Sequence, residues 1–323
     1  MAWLERDPQV RIDLRERFPW AKSVVVVVKR YGATPPDAGG LAPFVASYAL
    51  EDDYHDVMLP PLKALADDLG EGQSHAYVDT GPALERKLAA AAGLGWTGKN
   101  TLLLNARRGS RTFLGVIVSE IDFETTPQRN ATCGTCTACQ TACPTDAFVQ
   151  PGVLDARKCI SYLTIEYRGS IPRELRPAMG QWLFGCDLCQ TSCPFETNAQ
   201  ESNRVRYTSD ALNMSLTDLL ALDADEFRSH FRRTPFWRPR REGLLRNAVI
   251  VVTNGEHRDA LPAVRRLLRD DSPVLVEVAS WCLMRLRDRG AIPLLEQVLA
   301  RPLDPTIREL VREDLGVLGA SSS

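Results

Sequence analysis

An α/β domain leading into a cysteine-rich module and ending in paired helices is the fold class that the sequence predicts. Three observations carry it: an unbroken β-branched run near the start, eight of nine cysteines gathered between Cys133 and Cys193, and amphipathic segments recurring after Leu244. The composition is that of an ordinary globular chain, with 323 residues, 44% hydrophobic content, 25% charged content and a formal net charge of −2. That length accommodates two or three domains. A charge so near zero excludes a whole-chain basic signature for nucleic acid but leaves local patches open. No stretch approaches the roughly 20 apolar residues of a membrane span, and the start lacks the basic-then-apolar pattern of a secretory signal, so a cytoplasmic protein is expected.

The elements follow in order. Ser23–Lys29 reads Ser-Val-Val-Val-Val-Val-Lys and predicts a fully buried strand at the centre of an α/β sheet. His55–Gly70 has helical spacing in Val57, Leu59, Leu62, Leu65 and Leu69, with Pro60 and Pro61 turning part of it away from helix. A short strand at Ala76–Val78, a helix over Leu84–Ala92 and a strand within Arg111–Ile121 complete this domain, taken as residues 1–128. Residues 129–200, rich in Gly, Pro and Thr, form the cysteine module. In residues 201–323 the segments Leu244–Val252, Ala260–Leu268, Val274–Leu286 and Ala291–Leu299 alternate with Pro262, Pro273 and Pro293 near their starts, where a missing N–H costs little. Paired short helices at this spacing predict a small cap of HEAT-like α-helical repeats. Ala320–Ser323 reads as a disordered tail.

The cysteines carry the chemistry. Cys133, Cys136, Cys139 and Cys143 have the spacing C-x2-C-x2-C-x3-C followed by Pro144, the bacterial ferredoxin run in which the fourth cysteine ligates the other cluster. Cys186, Cys189 and Cys193 give C-x2-C-x3-C followed by Pro194, and Cys159 supplies the ligand they lack. Crossing the ligands places one [4Fe–4S] cluster on Cys133, Cys136, Cys139 and Cys193, and the other on Cys143, Cys159, Cys186 and Cys189. Gly134 and Gly185 would let backbone approach inorganic sulfide. Zinc is the plain alternative, although zinc sites usually come as two C-x2-C pairs. Cys282, alone in a helical pattern, reads as core. Two clusters imply an electron wire ending in the N-terminal domain.

Three stretches add a resemblance: VDTGPALERKLAAAAGLGWTGKNTLLLN at Val78–Asn105, DARKCISYL at Asp155–Leu163 and GCDLCQTSCP at Gly185–Pro194. Together with Leu244, Leu245, Arg246 and Asn247 they resemble the epoxyqueuosine reductases of tRNA queuosine biosynthesis over nearly the whole chain. The resemblance implies a nitroreductase-like α/β domain that binds cobalamin, beside a bacterial-ferredoxin-like two-cluster module. It implies reduction of epoxyqueuosine to queuosine at the wobble position of tRNA, with two electrons and two protons in and one water out. It makes Asp79 the proton donor, where the residues alone suggest an Asx-turn before Thr80-Gly81-Pro82.

By the same resemblance Arg11, Asp53, Tyr54, Asp79, Thr80, Leu103, Leu114, Ser161 and Asp187 would bind cobalamin, which is held without a protein histidine; His55 is assigned no ligand role. Glu85, Arg86 and Lys99 stand open between a functional part and an ion-paired surface. The glycines Gly93, Gly95 and Gly98 around Trp96 either cradle the corrin or make a loop, and they lack the strand-then-helix context of a dinucleotide site, so no nicotinamide cofactor is expected. The arginine-rich stretch with Arg238, Arg240, Arg241 and Arg246, interleaved with Phe236 and Trp237, is the expected tRNA contact, against the plainer reading of a solvated linker. An external electron donor of ferredoxin or flavodoxin type and a monomeric state are expected. The sequence departs from the family in two ways: about fifty residues usually precede the segment that begins here at Met1, and Ser47, Glu51 and Asp52 stand where relatives often carry Arg, Gly and Arg. A corrinoid reductive dehalogenase and a non-catalytic electron-transfer protein are the alternatives.

Overall fold

The computed structural model describes residues 7–32, 39–127, 131–197 and 210–320. The chain divides into two compact units: residues 1–33, 51–155 and 187–208 in one, and 34–50, 156–186 and 209–323 in the other. These units do not follow the three consecutive segments expected from sequence. Residues 39–50 join the second unit because Leu41 N–H donates to the Leu212 carbonyl and Ala46 N–H to that of Phe184, each at 2.8 Å. The segment from Asp187 joins the first because buried Gln190 and Glu196 bond to Tyr31 and Ser110 there.

The first unit opens with a one-turn helix α1 (Pro8–Ile12) and is built on a three-stranded antiparallel sheet of order β1–β5–β2. β1 is Ser23–Arg30, β2 Ser74–Tyr77 and β5 Thr112–Ser119, with Val116 opposite both Val26 and Tyr77. The valine run is therefore an edge strand, half-buried along its length, and β5 takes the centre. Local sequence favours a strand in either place; only non-local pairing decides which strand is covered.

Alternation divides the sheet's faces. On one, Val116 and Val118 pack with Phe18 and Tyr77, and Leu114 with Leu103 and Ala89, the latter from α3 (Glu85–Ala91). On the other lies α2 (Tyr54–Asp68), whose Leu62 comes so near Gly115 that a Cβ there would stand 2.9 Å from it. α2 runs straight through Pro60 and Pro61, against expectation. Both prolines are exposed, so water can satisfy the carbonyls of Asp56 and Val57 that lose their donors. A small hairpin of β3 (Trp96–Thr97) and β4 (Leu103–Leu104) follows α3 and was not evident in the sequence. The cysteine segments of this unit add α4 (Ala138–Thr141), the hairpin of β6 (Phe148–Gln150) and β7 (Val153–Leu154), α6 (Leu188–Thr191) and α7 (Pro194–Thr197).

The second unit holds α5 (Ile160–Ile165), α8 (Leu216–Ala221), α9 (Ala224–Phe231) and the five helices α10 (Arg240–Asn254), α11 (Leu261–Leu267), α12 (Pro273–Arg285), α13 (Ile292–Leu299) and α14 (Pro305–Ala320). Each of the four expected amphipathic segments is a helix. α12 packs on α10, α11 and α14, and α13 packs on α14, the nearest-neighbour stacking of a helical repeat. Capping boxes at Ser215/Asp218 and Asp223/Glu226 start α8 and α9. Cys282 is fully buried in α12, where burial pushes its thiol up to about 12, as suits a core residue. Ala320 ends α14; the rest of the expected tail, from Ser321, lies outside the described residues.

Candidate functional site

Four of the cysteines come together in the first unit. Cys133, Cys136, Cys139 and Cys193 line one cavity with Lys99, Asn100, Leu104, Pro194 and Phe195, its empty space about 300 Å³ with the mouth included. This is the set that the crossed spacing assigns to one cluster. The sulfurs stand around the walls; among the described residues no three His, Cys, Asp or Glu side chains gather closely enough for a lone ion. Behind them Trp96, Leu104 and Cys193 form a buried apolar cluster against Cys133 and Phe195. Burial foremost, then the charges of Cys133 and Cys193, raises the Cys139 thiol; burial likewise raises Cys193. Thiols so placed take a bound cation to ionise. The buried Trp96 indole N–H has no hydrogen-bond partner and packs among Leu104, Cys193 and Cys133, a donor left over beside the thiols. The residues present fit the cubane.

For the second set, Cys143 and Cys189 belong to the first unit, and Cys159 and Cys186 to the second. The Cys143 sulfur accepts from Ala147 N–H at 3.4 Å, Cys159 stands at the N-cap position of α5, and Asn100 donates to the Cys189 carbonyl at 3.2 Å. Gly185 has a left-handed φ of 72° and a Cβ there would meet the Ala46 side chain at 2.5 Å. Its crowding comes from packing, while a Cβ at Gly134 would meet nothing within 4 Å.

A second site of the first unit forms where β2 ends and α2 begins. Asp79 follows β2 at φ 58°, and Thr80 N–H donates back to the Val78 carbonyl at 2.6 Å, a tight γ-type turn that Asp tolerates better than most residues. Gly81 is required next because a Cβ would fall within 2.1 Å of the Tyr77 ring. The turn projects Asp79 toward His55, with its Oδ2 3.6 Å from the imidazole Nε2, an ion-pair rather than hydrogen-bond distance. On its other side His55 Nδ1 meets Asp53 at 2.6 Å, and Asp53 also caps α2 through His55 N–H. Tyr54 stacks on Phe113 at 4.5 Å and against the imidazole at 4.2 Å, fixing the start of the helix. The Asp53 hydrogen bond first, then Asp79, pushes His55 up to about 9 despite its burial. Glu85 accepts the Asp79 N–H at 2.7 Å, and burial raises its carboxyl to about 7. Near neutral pH the row therefore holds a proton on His55 and shares another at Glu85.

His55 was not expected here: Asp-x-His at a helix start signals a cap, and nothing local shows that β2 ends beside it. Arg11 and Thr80 line a separate open cleft, its empty space about 1040 Å³ with open solvent included, together with Arg17, Phe18, His75 and Tyr77; Asp79 is not in its wall. Leu103 and Leu114 lie inside the apolar cluster with Ala89, which gives them a packing role. Asp187 is buried near Tyr31, whose hydroxyl is raised by burial and then by Asp187. Ser161, in the second unit, lends its carbonyl to the Thr164 hydroxyl at 3.2 Å.

The expected tRNA arginines fall apart as a group. Arg246 is 1% exposed, with its guanidinium bonded to the carbonyls of Leu163, Tyr167 and Gly169, so it is a structural residue and not a surface contact. Burial lowers its pKa to about 10. Arg241 pairs with Asp270 at 2.9 Å and Arg238 with Glu166 at 2.6 Å, whereas Arg240 is exposed and stacked over Trp237 at 4.6 Å.

Comparison with known proteins gives these sites a setting. The family model "4Fe-4S double cluster binding domain" matches residues 132–196, and that for HEAT repeats matches residues 240–316. With thiols lining a cavity in the first of these and an acid–imidazole row beside the sheet, the class is an iron–sulfur oxidoreductase. A third family model, "Epoxyqueuosine reductase QueG, DUF1730", matches residues 11–80. An epoxyqueuosine reductase of Xanthomonas campestris is 36% identical over 88% of this chain and 83% of its own, and one of Gloeobacter violaceus 39% identical over 77% and 81%. A crystal structure of epoxyqueuosine reductase with an epoxyqueuosine-modified tRNA-Tyr stem loop superposes with TM-score 0.88 at 29% identity, over 97% of this chain and 86% of the other. The Bacillus subtilis enzyme, with an aspartate catalytic loop swung out of the active site, gives 0.86 at 29% identity over the same shares. The chain belongs to the epoxyqueuosine reductase family.

Proposed function

We propose that this chain reduces epoxyqueuosine in tRNA to queuosine with two [4Fe–4S] clusters and cobalamin, and that Asp79 delivers the proton to the departing epoxide oxygen. The observation that carries the reading is the Asp53–His55–Asp79 row with Glu85 behind it. Reduction of an epoxide to an alkene takes two electrons and two protons and releases water, so a site for it must hold protons where an oxygen leaves. Bound clusters and corrinoid supply the electrons. Asp79 stands at the more exposed end of the row, on a strained turn beside His55, and relays a proton drawn from the imidazolium to the oxygen as the C–O bond breaks. His55, cationic to about pH 9, returns a proton to Asp79, and Asp53 fixes the imidazole's orientation. The Bacillus subtilis relative, described with an aspartate catalytic loop, supports an aspartate in this role.

One cluster takes Cys133, Cys136, Cys139 and Cys193, and the other Cys143, Cys159, Cys186 and Cys189. The cleft with Arg11 and Thr80 would hold a corrinoid by its donor set: guanidinium and hydroxyl groups for corrin amides or phosphate, with Phe18 and Tyr77 in the same lining. Asp53, Tyr54, Leu103, Leu114 and Asp187 of the same unit are further candidates for corrinoid contact by the family resemblance. The tRNA stem loop bound in the related structure supports tRNA as partner, with Arg240 on Trp237 and neighbouring Arg238 as surface contacts. A ferredoxin- or flavodoxin-type protein donates electrons to a monomer; among the described residues no helix is long and apolar enough to cross a membrane.

The test is anaerobic reconstitution with iron, sulfide and cobalamin, then incubation with epoxyqueuosine-bearing tRNA and a chemical reductant. Queuosine is the expected product. Bound corrinoid and about eight irons per chain without queuosine would contradict the reading.

A further inference from the structure

Lys99 lies between the acid row and the cysteines in sequence, and neither site's chemistry uses it. Its ammonium donates to two carbonyls, those of Gly134 and Cys136, each at 2.8 Å. It thereby caps the turn that carries Cys133 and Cys136. It also lines the cavity of the four thiols, where its companions besides the cysteines are Asn100, Leu104, Pro194 and Phe195. None of these bears a formal charge.

The residue is held from several directions. The Lys99 carbonyl accepts Gly152 N–H at 2.9 Å, Gly98 N–H donates to the Leu102 carbonyl at 2.8 Å, and Asn100, 3% exposed, donates to the Cys189 carbonyl at 3.2 Å. Thr101 adopts φ 68°, a left-handed backbone that a β-branched residue takes only under constraint. A structure built only to tie the cysteine loops would be served by Asn100 and a neutral donor. Instead a long cationic side chain is laid along the rim of the cluster.

We propose that Lys99 sets the reduction potential of the cluster on Cys133, Cys136, Cys139 and Cys193 by holding a fixed positive charge against its loop. Reduction adds one electron and one negative charge to the cluster, with no bond made or broken. The electron comes from the external donor or from a chemical reductant. An ammonium held beside the cluster stabilises the reduced form more than the oxidised one, and the apolar wall of Trp96, Leu104 and Phe195 limits screening from the inner side. The inference rests on the cluster assignment of the proposed function, and iron content separates the two: without iron the assignment fails, whereas full iron with an unmoved potential defeats the inference alone.

The test is a dithionite titration of the anaerobically reconstituted full chain, followed by electron paramagnetic resonance, on the parent, Lys99→Gln and Lys99→Arg. Glutamine keeps an N–H donor and loses the charge; arginine keeps the charge. Lys99→Gln is expected to make reduction of one cluster about tenfold less favourable, or about 59 mV lower for one electron, with the other cluster unmoved and iron equal to the parent's. Lys99→Arg is expected to stay close to the parent. The proposal is overturned if Lys99→Gln leaves both potentials in place, or if both variants shift them alike. It is also overturned if Lys99→Gln binds less iron, because the residue would then be a clamp for the turn.

Discussion

The buried acid network of the helical unit and the acid–imidazole row of the sheet unit treat ionised groups in opposite ways. In the helical unit Glu277 is fully buried and accepts from Arg173 at 2.8 Å, Arg176 at 2.5 Å and the Ser170 hydroxyl, while Asp314 takes Arg173 and the Ser280 hydroxyl at 2.7 Å. Burial alone would raise Glu277, but the Arg176 and Arg173 guanidiniums and the Ser170 hydroxyl hold it below the ordinary range. In the sheet unit the row of Asp53, His55 and Asp79 is partly open, with side-chain exposures of 28%, 28% and 43%, and His55 and Glu85 are both raised. A sealed and fully paired network keeps one charge state. A half-open row with raised proton affinities exchanges protons near neutral pH, which is what acid chemistry needs.

Substitutions on either side sharpen the contrast. Glu277→Ala strands the buried Arg176 guanidinium and takes one of its two carboxylate partners from Arg173, and should destabilise the protein by about 3–5 kcal/mol, read in a denaturant or thermal melt, with little change in turnover per folded molecule. In the open row His55→Gln should do the reverse. Losing a charged hydrogen-bond partner is worth about 1.5–3 kcal/mol, so turnover should fall roughly 10–100-fold, with a smaller loss in the melt than for Glu277→Ala because the row is half-open to solvent. A pH profile tests the same residue. His55 is raised in the folded state, so its stabilising contribution is present below its unfolded pKa, about 6.5, and lost as pH rises through about 9. Turnover should decline over that same alkaline limb in the parent, and the limb should vanish in His55→Gln. The smallest effect belongs to local structure: Asp223→Ala removes a capping box and should cost about 1 kcal/mol in the melt, with turnover unchanged.

The cysteine spacing was legible because cluster ligation is a local code: Cys133, Cys136 and Cys139 sit on one turn, and the distant Cys193 joins them in one cavity. The helical repeats were legible for a similar reason, since each amphipathic segment reports its own buried face. What depended on non-local pairing was not. The valines of β1 suit an edge as well as a centre, and Pro60 and Pro61 break a helix only where water cannot reach the freed carbonyls. Arg246 looks like its neighbours in a basic stretch, yet α10 turns it inward onto three carbonyls. His55 acquired its meaning from the end of β2, more than twenty residues along the chain. Asp79 was singled out through the family resemblance rather than its own surroundings in sequence, which favoured a plain Asx-turn.

The most direct test of the central claim compares Asp79→Asn with the parent in a single turnover on epoxyqueuosine-bearing tRNA, with iron, corrinoid and reduction state matched by spectroscopy. The account predicts that queuosine formation slows by about 10²–10⁴-fold while cofactor content and reduction are unchanged. Queuosine formed at the parental rate by a fully loaded Asp79→Asn protein would contradict it.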